Sequence, residues 1–242
     1  MTHCHGCYSH HMSSALEAVA VLGDDLRRRL YDHVRRSPAP VTRDEAARDA
    51  GISRKLAAFH LDKLVAVGLL SVSYARPAGL RRAGRTPKVY APAETSLQIS
   101  IPPREHGLLA GILLRAVRHQ APGESGTEAA LRSAASHGRS LGAADRDRLR
   151  PGRLGPERAL TYVADLLERH GFEPARDAPT RMTLRNCPFH PMAADDPDLV
   201  CAINHAFVSG LLDGLGATTL DATLAPRPDG CCVALAPRTP PA

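Results

Sequence analysis

The chain has 242 residues and a formal net charge of +6. The charge is uneven, because residues 1–92 carry 15 Lys and Arg against 8 Asp and Glu, a balance of +7 that leaves −1 for the rest. This length suits two domains, and the basic N-terminal part favours nucleic acid as its partner. No apolar run approaches the ~20 residues of a membrane span, and the polar N-terminus lacks a secretory signal, so we expect a cytoplasmic protein without membrane association.

Residues 1–13 show no apolar periodicity and are predicted to form a flexible tail. They hold Cys4 and Cys7 in a CxxC spacing with four histidines around them. Two thiolates and an imidazole are able to bind zinc or copper. A cluster of this size in a chain terminus often has no fixed structure, so we leave it out of the predicted sites.

Residues 14–92 are predicted to form a winged helix-turn-helix DNA-binding domain. Apolar residues recur at helical spacing over residues 14–36, with an interruption at Gly23 and Asp24. Asp24 or Asp25 is expected to cap the second helical piece, the first helix of this domain. The Pro-containing segment that starts at Ser37 then ends that helix.

Residues 41–70 have the pattern of a DNA-reading helix-turn-helix. Small alanines let the first helix pack closely, Thr42 and Glu45 form a capping box at its start, and Gly51 suits the positive φ of the turn. Apolar residues then return at helical spacing and are predicted to form the core: Ile52, Leu61 and Leu64.

The outer face of the second helix carries four predicted DNA-binding residues: Ser53, Arg54, Lys55 and His60. Arg54 and Lys55 lie in the first turn, where such helices approach base edges or flanking phosphates. Ser53 has the alternative role of a helix cap, and His60 that of a buried, hydrogen-bonded residue beneath the wing.

The wing is predicted from two short apolar runs, one with Val72 and Tyr74 and one at residues 88–90. Between them lies ARPAGLRRAGRTP, a basic segment rich in glycine and proline. A flexible basic hairpin tip is able to follow a phosphate backbone or reach a minor groove. The predicted DNA contacts in this hairpin are Arg81, Arg82, Arg85 and Lys88.

Residues 93–156 are predicted to be a helical linker and dimerisation region. The segment HGLLAGILLRAVRHQ is apolar on more than one face, so it is either a dimer contact or a buried core helix. A second helix is expected over residues 127–141, with a mobile connection after it.

Residues 157–242 are predicted to form a cysteine-containing α+β sensor domain. A helix is expected over residues 157–170 and another over residues 199–215. Strands are expected at residues 182–184, near 217–224 and at 231–235. The predicted fold class is therefore mostly α with small β elements, a winged helix-turn-helix domain followed by an α+β effector domain.

Four cysteines of this domain are candidate metal ligands: Cys187, Cys201, Cys231 and Cys232. Their spacing is too loose for a CxxC zinc knuckle and suits ligands drawn from three separate elements of a folded domain. Adjacent cysteines on a strand point to opposite faces, so only one of the last pair is expected to be a ligand. A zinc site with His190 and His205, thiol redox chemistry, or burial of the cysteines as small apolar groups are the alternatives.

The sequence SRKLAAFHLDKL followed by GRTPKVY resembles the winged-helix regulators of the ArsR-like group. It most resembles the actinobacterial relatives of the Suf-type repressors of iron-sulfur cluster assembly, well over residues 14–92 and more weakly over residues 158–236. The resemblance implies a repressor in which Cys187, Cys201 and one of the last pair bind a [4Fe-4S] or [2Fe-2S] cluster. The doubled cysteine at 231–232 departs from the three-cysteine pattern.

We therefore expect a DNA-binding transcription regulator, a homodimer on a double-stranded operator, controlled by a cysteine-bound cofactor. The cofactor is expected to be an iron-sulfur cluster, with zinc as the alternative; an organic ligand or thiol redox is the other effector considered. A thiol enzyme using Cys187 with a nearby histidine is less favoured, because no Gly-rich phosphate loop or nucleophile elbow accompanies it.

Overall fold

The computed structural model describes residues 7–74, 86–94, 98–227 and 230–238, with side chains from residue 15 onward. The chain divides into two compact units, Met1–Ile99 and Ser100–Ala242. The N-terminal unit contains four helices and three strands in its described residues: α1 Cys7–Leu22, α2 Asp25–Arg36, β1 Val41–Thr42, α3 Arg43–Ala50, α4 Arg54–Ala66, β2 Leu70–Tyr74 and β3 Lys88–Pro92.

Local capping explains where the helices of this unit begin. Asp24 accepts a hydrogen bond from the backbone N of Arg27 at 2.9 Å and so caps α2. Helix α1 differs from the prediction, because it begins at Cys7, within the segment predicted to be a flexible tail. Ala15 and Ala18 are buried and fix this helix to the unit, and its earlier turns continue it. Residues 1–6, including Cys4, lie outside the described residues.

The three strands form an antiparallel sheet in the order β1-β3-β2. Tyr90 of β3 pairs with Val41 on one side and with Val72 on the other, so β3 is the central strand. The predicted core positions Leu61 and Leu64 are fully buried, and Ile52 packs against the same cluster. The hairpin residues 75–85 are outside the described residues.

The C-terminal unit surrounds a long buried helix with a second helix and a sheet. Its elements are α5 His106–Arg118, α6 Gly126–Leu149, α7 Pro156–Glu168, β4 Pro174–Ala178, β5 Arg181–Leu184, α8 Met192–Asp195, α9 Pro197–Leu215, β6 Leu220–Leu224 and β7 Val233–Pro237. The strands are antiparallel in the order β4-β5-β7-β6.

Helices α6 and α9 pack with their backbones in close approach. A Cβ atom on Gly138 would clash with the backbone oxygen of Phe207, and one on Gly210 would clash with that of Ala135. Gly142 and Gly214 repeat this relationship one turn further along each helix. Only glycine at these positions allows the two helices to lie so near each other.

This packing differs from the predicted role of residues 93–156. Helices α5 and α6 contribute Ile112, Ala130 and Ala134 to the core of the C-terminal unit, so this part of the chain is not a linker outside the sensor domain. Helix α6 also continues to Leu149, where a mobile connection after residue 141 was predicted. The small residues of α6 allow its close contact with α9. Their abundance suggests a flexible segment when composition alone is considered.

Helix α9 is the one described helix that is long and apolar enough to cross a membrane on length and composition. More than half of its most apolar stretch is buried inside the unit, and core helices of globular proteins meet the same criterion.

Candidate DNA-binding surface and cysteine cluster

The two helices of the DNA-reading motif are fixed by caps that the sequence encodes locally. Thr42 and Glu45 form the predicted capping box on α3, with the Thr42 hydroxyl accepting from the Glu45 backbone N at 3.2 Å. Gly51 ends α3 with φ +66°. Ser53 Oγ accepts from the backbone N of Leu56 at 3.2 Å, so this hydroxyl caps α4 in the structure.

The outer face of α4 is basic and carries an exposed aromatic ring. Arg54 and Lys55 are exposed in the first turn, as predicted. Lys55, Phe59 and Lys63 follow at four-residue intervals and therefore lie along one face. Phe59 is 53% exposed, and Lys63 Nζ lies 5.0 Å from the centroid of its ring. Phe59 was not predicted from the sequence to lie on the DNA-binding face, although its place between two lysines at helical spacing was a signal.

His60 does not belong to this face, so its predicted DNA contact is wrong. The side chain is only 8% exposed, and its Nδ1 is buried without a hydrogen-bond partner. A buried imidazole cannot approach a base edge from this position. The alternative of a buried histidine is therefore the one that the structure supports.

A polar network attaches the base of the hairpin to α4. The Tyr90 hydroxyl donates to Asp62 Oδ1 at 2.9 Å, and Lys88 Nζ donates to the same oxygen. The hydrogen bond that Lys88 donates to Asp62 raises the pKa of Lys88. Lys88 is thus an anchor between β3 and α4, with part of its charge compensated. The predicted contacts Arg81, Arg82 and Arg85 lie outside the described residues.

The structure brings the four candidate cysteines of the C-terminal unit together. Cys187 lies in the loop after β5, Cys201 in α9, and Cys231 and Cys232 immediately before β7. Cys187, Cys231 and Cys232 are buried in the same core, and Cys201 packs against it. We call these four residues the thiol cluster.

Only one member of the last pair was predicted to be a ligand, and the structure corrects the premise of that prediction. The premise was that Cys231 and Cys232 open the last strand, in which neighbouring side chains alternate between faces. The strand instead begins at Val233, after a bend at Cys232, and both cysteines are buried. Without the regular pleat, both thiols reach the same cluster.

The surroundings of the cluster raise the pKa values of three of its thiols. The hydrogen bond from the Cys231 thiol and burial raise the pKa of Cys187 well above its usual range. Cys231 also has a raised pKa, because the Cys232 thiol and burial outweigh the opposing effect of Cys187. Burial raises the pKa of Cys201 as well. Neutral, buried thiols are poor nucleophiles and oxidise slowly.

Backbone groups moderate the raised pKa values, and one side-chain donor lies beside a cluster sulfur. The backbone at Phe189 and His190 acts to lower the pKa of Cys187, and that at Val233 acts to lower the pKa of Cys231. Asn204 Nδ2 lies 3.0 Å from Cys231 Sγ, and Asn204 Oδ1 is buried without a partner. Donors of this kind are the groups that stabilise charge on a ligating sulfur.

One histidine of the alternative zinc site is engaged elsewhere, and the other is exposed. His205 Nε2 lies 3.0 Å from the Ala222 oxygen in β6, and His190 is exposed. Within the described ranges of the chain, no three His, Cys, Asp or Glu side chains have the geometry to hold a metal ion as they stand. The cluster therefore supplies thiol ligands in suitable number, in an arrangement that must change before it holds a metal.

The capped pair α3 and α4, with its exposed basic face, defines a DNA-binding protein of the helix-turn-helix class. A family model described as a helix-turn-helix domain matches residues 22–73. No curated protein and no solved structure matches the chain. The N-terminal unit thus carries a domain of the kind that binds double-stranded DNA, which indicates a transcription regulator.

Proposed function

We propose that the protein is a sequence-specific repressor that binds its operator as a homodimer and is controlled by an iron-sulfur cluster on its C-terminal cysteines. One observation carries this proposal. A single chain joins a helix-turn-helix with an exposed basic reading helix to a cluster of four cysteines, three of which are buried.

On the DNA side, α4 is proposed to enter the major groove with its first turn. Arg54 and Lys55 offer charged donors for base edges and phosphates, and the free amides of the helix start add a favourable dipole for phosphate. Arg54 Nε lies 3.4 Å from Asp44 Oδ1, so this exposed ion pair is exchanged for DNA contacts on binding. Phe59 adds an apolar surface suited to a thymine methyl group.

The β2–β3 hairpin is proposed to act as a wing on the neighbouring backbone. Asp62 fixes the base of this hairpin to the reading helix through Tyr90 and Lys88. The arginines of the intervening segment would then follow the phosphates, where they contribute affinity without reading sequence.

Dimerisation is proposed because a two-fold operator requires two reading helices. Helix α5 offers a surface for a second copy of the chain. Its inner face is buried through Leu109 and Ile112, whereas Leu114 and Val117 on the outer face are 62% and 75% exposed.

The donor chemistry of the thiol cluster fits an iron-sulfur cluster. Three of the four cysteines are buried, Asn204 Nδ2 donates to the Cys231 sulfur, and Asn204 Oδ1 lacks a partner beside it. Cys187, Cys201 and Cys231 or Cys232 would hold the group, which supplies a redox-sensitive centre when bound. Ligation requires the thiols to lose their protons, so the packed cysteines must rearrange.

This rearrangement of the cysteines is the proposed source of regulation. The loop with Cys187, helix α9 with Cys201 and the segment before β7 would change their spacing together. Such a change regulates only if it affects the DNA-competent state more than the other state. The raised pKa values of Cys187 and Cys231 disfavour a thiol nucleophile or direct thiol oxidation as the function of these residues.

The DNA half is tested with an operator selected from random duplexes. Replacing Arg54 and Lys55 by Ala should weaken operator binding by roughly 10- to 100-fold, since each good base contact contributes roughly 1–3 kcal/mol. The matched control replaces exposed Arg28 and Arg29 of α2, which removes the same charge from the same unit. Equal losses in both variants would contradict the assignment of α4.

The cofactor half is tested by anaerobic reconstitution with iron and sulfide, followed by visible spectra and analysis for iron, sulfide and zinc. Serine replacements at Cys187 and Cys201 should abolish or severely reduce bound iron and sulfide. Replacing Cys4 and Cys7 by Ser should leave the spectrum intact and serves as the control. Stoichiometric zinc with no iron, or iron retained in the Cys187→Ser variant, would contradict the proposal.

A further inference from the structure

The loop that carries Cys187 is hydrogen-bonded to the first residues of the C-terminal unit. We call Asn186–His190 the Cys187 loop and Pro103–His106 the entry segment, because the chain passes through the latter on its way from the DNA-binding unit. The two stretches lie about 80 residues apart in sequence and adjacent in the fold.

Main-chain groups connect the two stretches along their length. The Glu105 backbone N donates to the Pro188 oxygen at 2.9 Å. His106 Nε2 lies 3.0 Å from the His190 oxygen. These contacts tie the start of α5 to the part of the loop that follows Cys187.

Asn186 and Arg104 complete the connection with side-chain donors. Asn186 is 6% exposed, and its Nδ2 donates to the Pro103 oxygen at 2.9 Å and to the Gly171 oxygen at 2.7 Å. Arg104 Nη1 donates to Asn186 Oδ1 and to the Cys187 oxygen at 3.2 Å. Buried carbonyl groups that lose such donors are costly, so these bonds resist separate movement of loop and segment.

The same loop residue faces the thiol cluster on its other side. The Cys187 side chain is buried in the same core as Cys231 and Cys232, while its carbonyl oxygen accepts from Arg104. A rearrangement that moves the Cys187 backbone must either break the bonds to Arg104 and Glu105 or carry the entry segment along. Packed and hydrogen-bonded elements favour the second outcome, because they shift between discrete arrangements as units.

We propose that Arg104 and Asn186 are positioning residues that couple the state of the Cys187 loop to the entry segment, and through it to the DNA-binding unit. The regulatory consequence rests on the proposed function, whereas the mechanical coupling between loop and segment does not. Neither side chain is proposed to bind cofactor or DNA.

The regulatory consequence is tested by operator affinity of the full chain before and after removal of iron. For wild-type protein, the operator affinities before and after removal of iron should differ by a ratio of about 5- to 150-fold, the range typical of coupled sites. Arg104→Gln should bring this ratio close to one while iron content and visible spectrum stay unchanged. Arg104→Lys, which keeps one donor, should restore part of the ratio, and Arg118→Gln on the exposed part of α5 is the matched control.

If Arg104 had a merely structural role, Arg104→Gln would weaken operator binding by the iron-loaded and iron-free forms equally. The ratio of their affinities would then stay as in wild-type protein, and that result would overturn the proposal. Hydrogen exchange on metal-free protein tests the mechanical coupling without any cofactor. Replacing Cys187 by Ser should accelerate exchange at the Glu105 amide, and Cys201→Ser should have a much smaller effect. If wild-type protein showed no iron dependence, the proposed function would fail, and unchanged exchange at Glu105 would separately overturn the coupling.

Discussion

Asn204 donates from Nδ2 to the sulfur of Cys231 at 3.0 Å, and its own Oδ1 is buried with no partner. Asn204 is completely buried in α9, where an apolar residue would satisfy packing alone. A buried amide with one half unsatisfied requires an explanation in terms of function or an added partner. Its position beside the thiol cluster indicates that the amide acts as a hydrogen-bond donor to the Cys231 sulfur.

Replacing Asn204 by Leu should therefore separate stability from cofactor binding. The free energy of unfolding of metal-free protein should change by less than about 1 kcal/mol, because the unsatisfied oxygen is removed together with the donor. Iron affinity should fall by roughly 10- to 100-fold, as is typical when an outer partner of a ligand is lost. Urea unfolding and iron titration measure the two quantities. Unchanged iron affinity would contradict the assigned role of the amide.

Alanine at Gly138 or Gly210 should destabilise the C-terminal unit strongly. Each new methyl group would overlap a backbone oxygen of the facing helix, which cannot rotate away. We expect a loss of about 3 kcal/mol or more, at the upper end of overpacking effects. Gly107→Ala is the control, because no atom lies within 4 Å of its added Cβ. A loss at Gly138 as small as that of the control would show that the helices are further apart than described.

Removing the Tyr90 hydroxyl should loosen the hairpin from the reading helix. Tyr90→Phe removes one hydrogen bond to Asp62 and leaves the ring in the core, so the expected cost in unfolding free energy is about 1 kcal/mol. The Lys88 bond to Asp62 remains in this variant. Chemical denaturation measures the loss. A variant as stable as wild-type would mean that water replaces the bond without cost.

Stability of the C-terminal unit should fall as the solution is acidified below about pH 6.5. Burial, with a contribution from Arg169, lowers the pKa of His170 to about 4. The unfolded chain then binds a proton at higher pH than the folded chain, so stability is lost as pH falls towards 4. The shift in the pKa of His170 corresponds to a loss of at most about 3 kcal/mol in the free energy of unfolding. His170→Gln should flatten the profile of urea midpoint against pH between 6.5 and 4; a wild-type profile in that variant would contradict this origin.

Local signals in the sequence predicted much of the N-terminal unit. Thr42, Glu45 and Gly51 act on neighbours within a few residues, so their effect depends little on tertiary structure. Ser53 was predicted to contact DNA or cap the helix; the structure shows the cap, and the DNA contact stays a prediction. The burial of His60 and the exposure of Phe59 depend on how α4 packs, which helical spacing alone left ambiguous.

The C-terminal unit was harder to predict because its main contacts are distant in sequence. The meeting of cysteines from three separate elements was expected from their type and spacing, but the burial of both Cys231 and Cys232 depends on where β7 begins. The paired glycines of α6 and α9 recur every four residues and were a visible signal of close helix packing that composition concealed. The bonds from Arg104 to the Cys187 loop join residues that no local pattern relates.

The most direct test of the account is operator binding by one anaerobic preparation, measured with its iron-sulfur cluster present and again after chelation. We predict that iron and sulfide are bound through the thiol cluster and that operator affinity changes at least about fivefold between the two forms. We also predict that Cys187→Ser protein has the affinity of the metal-free form under both conditions. Equal affinity of the loaded and metal-free wild-type protein would contradict the central claim.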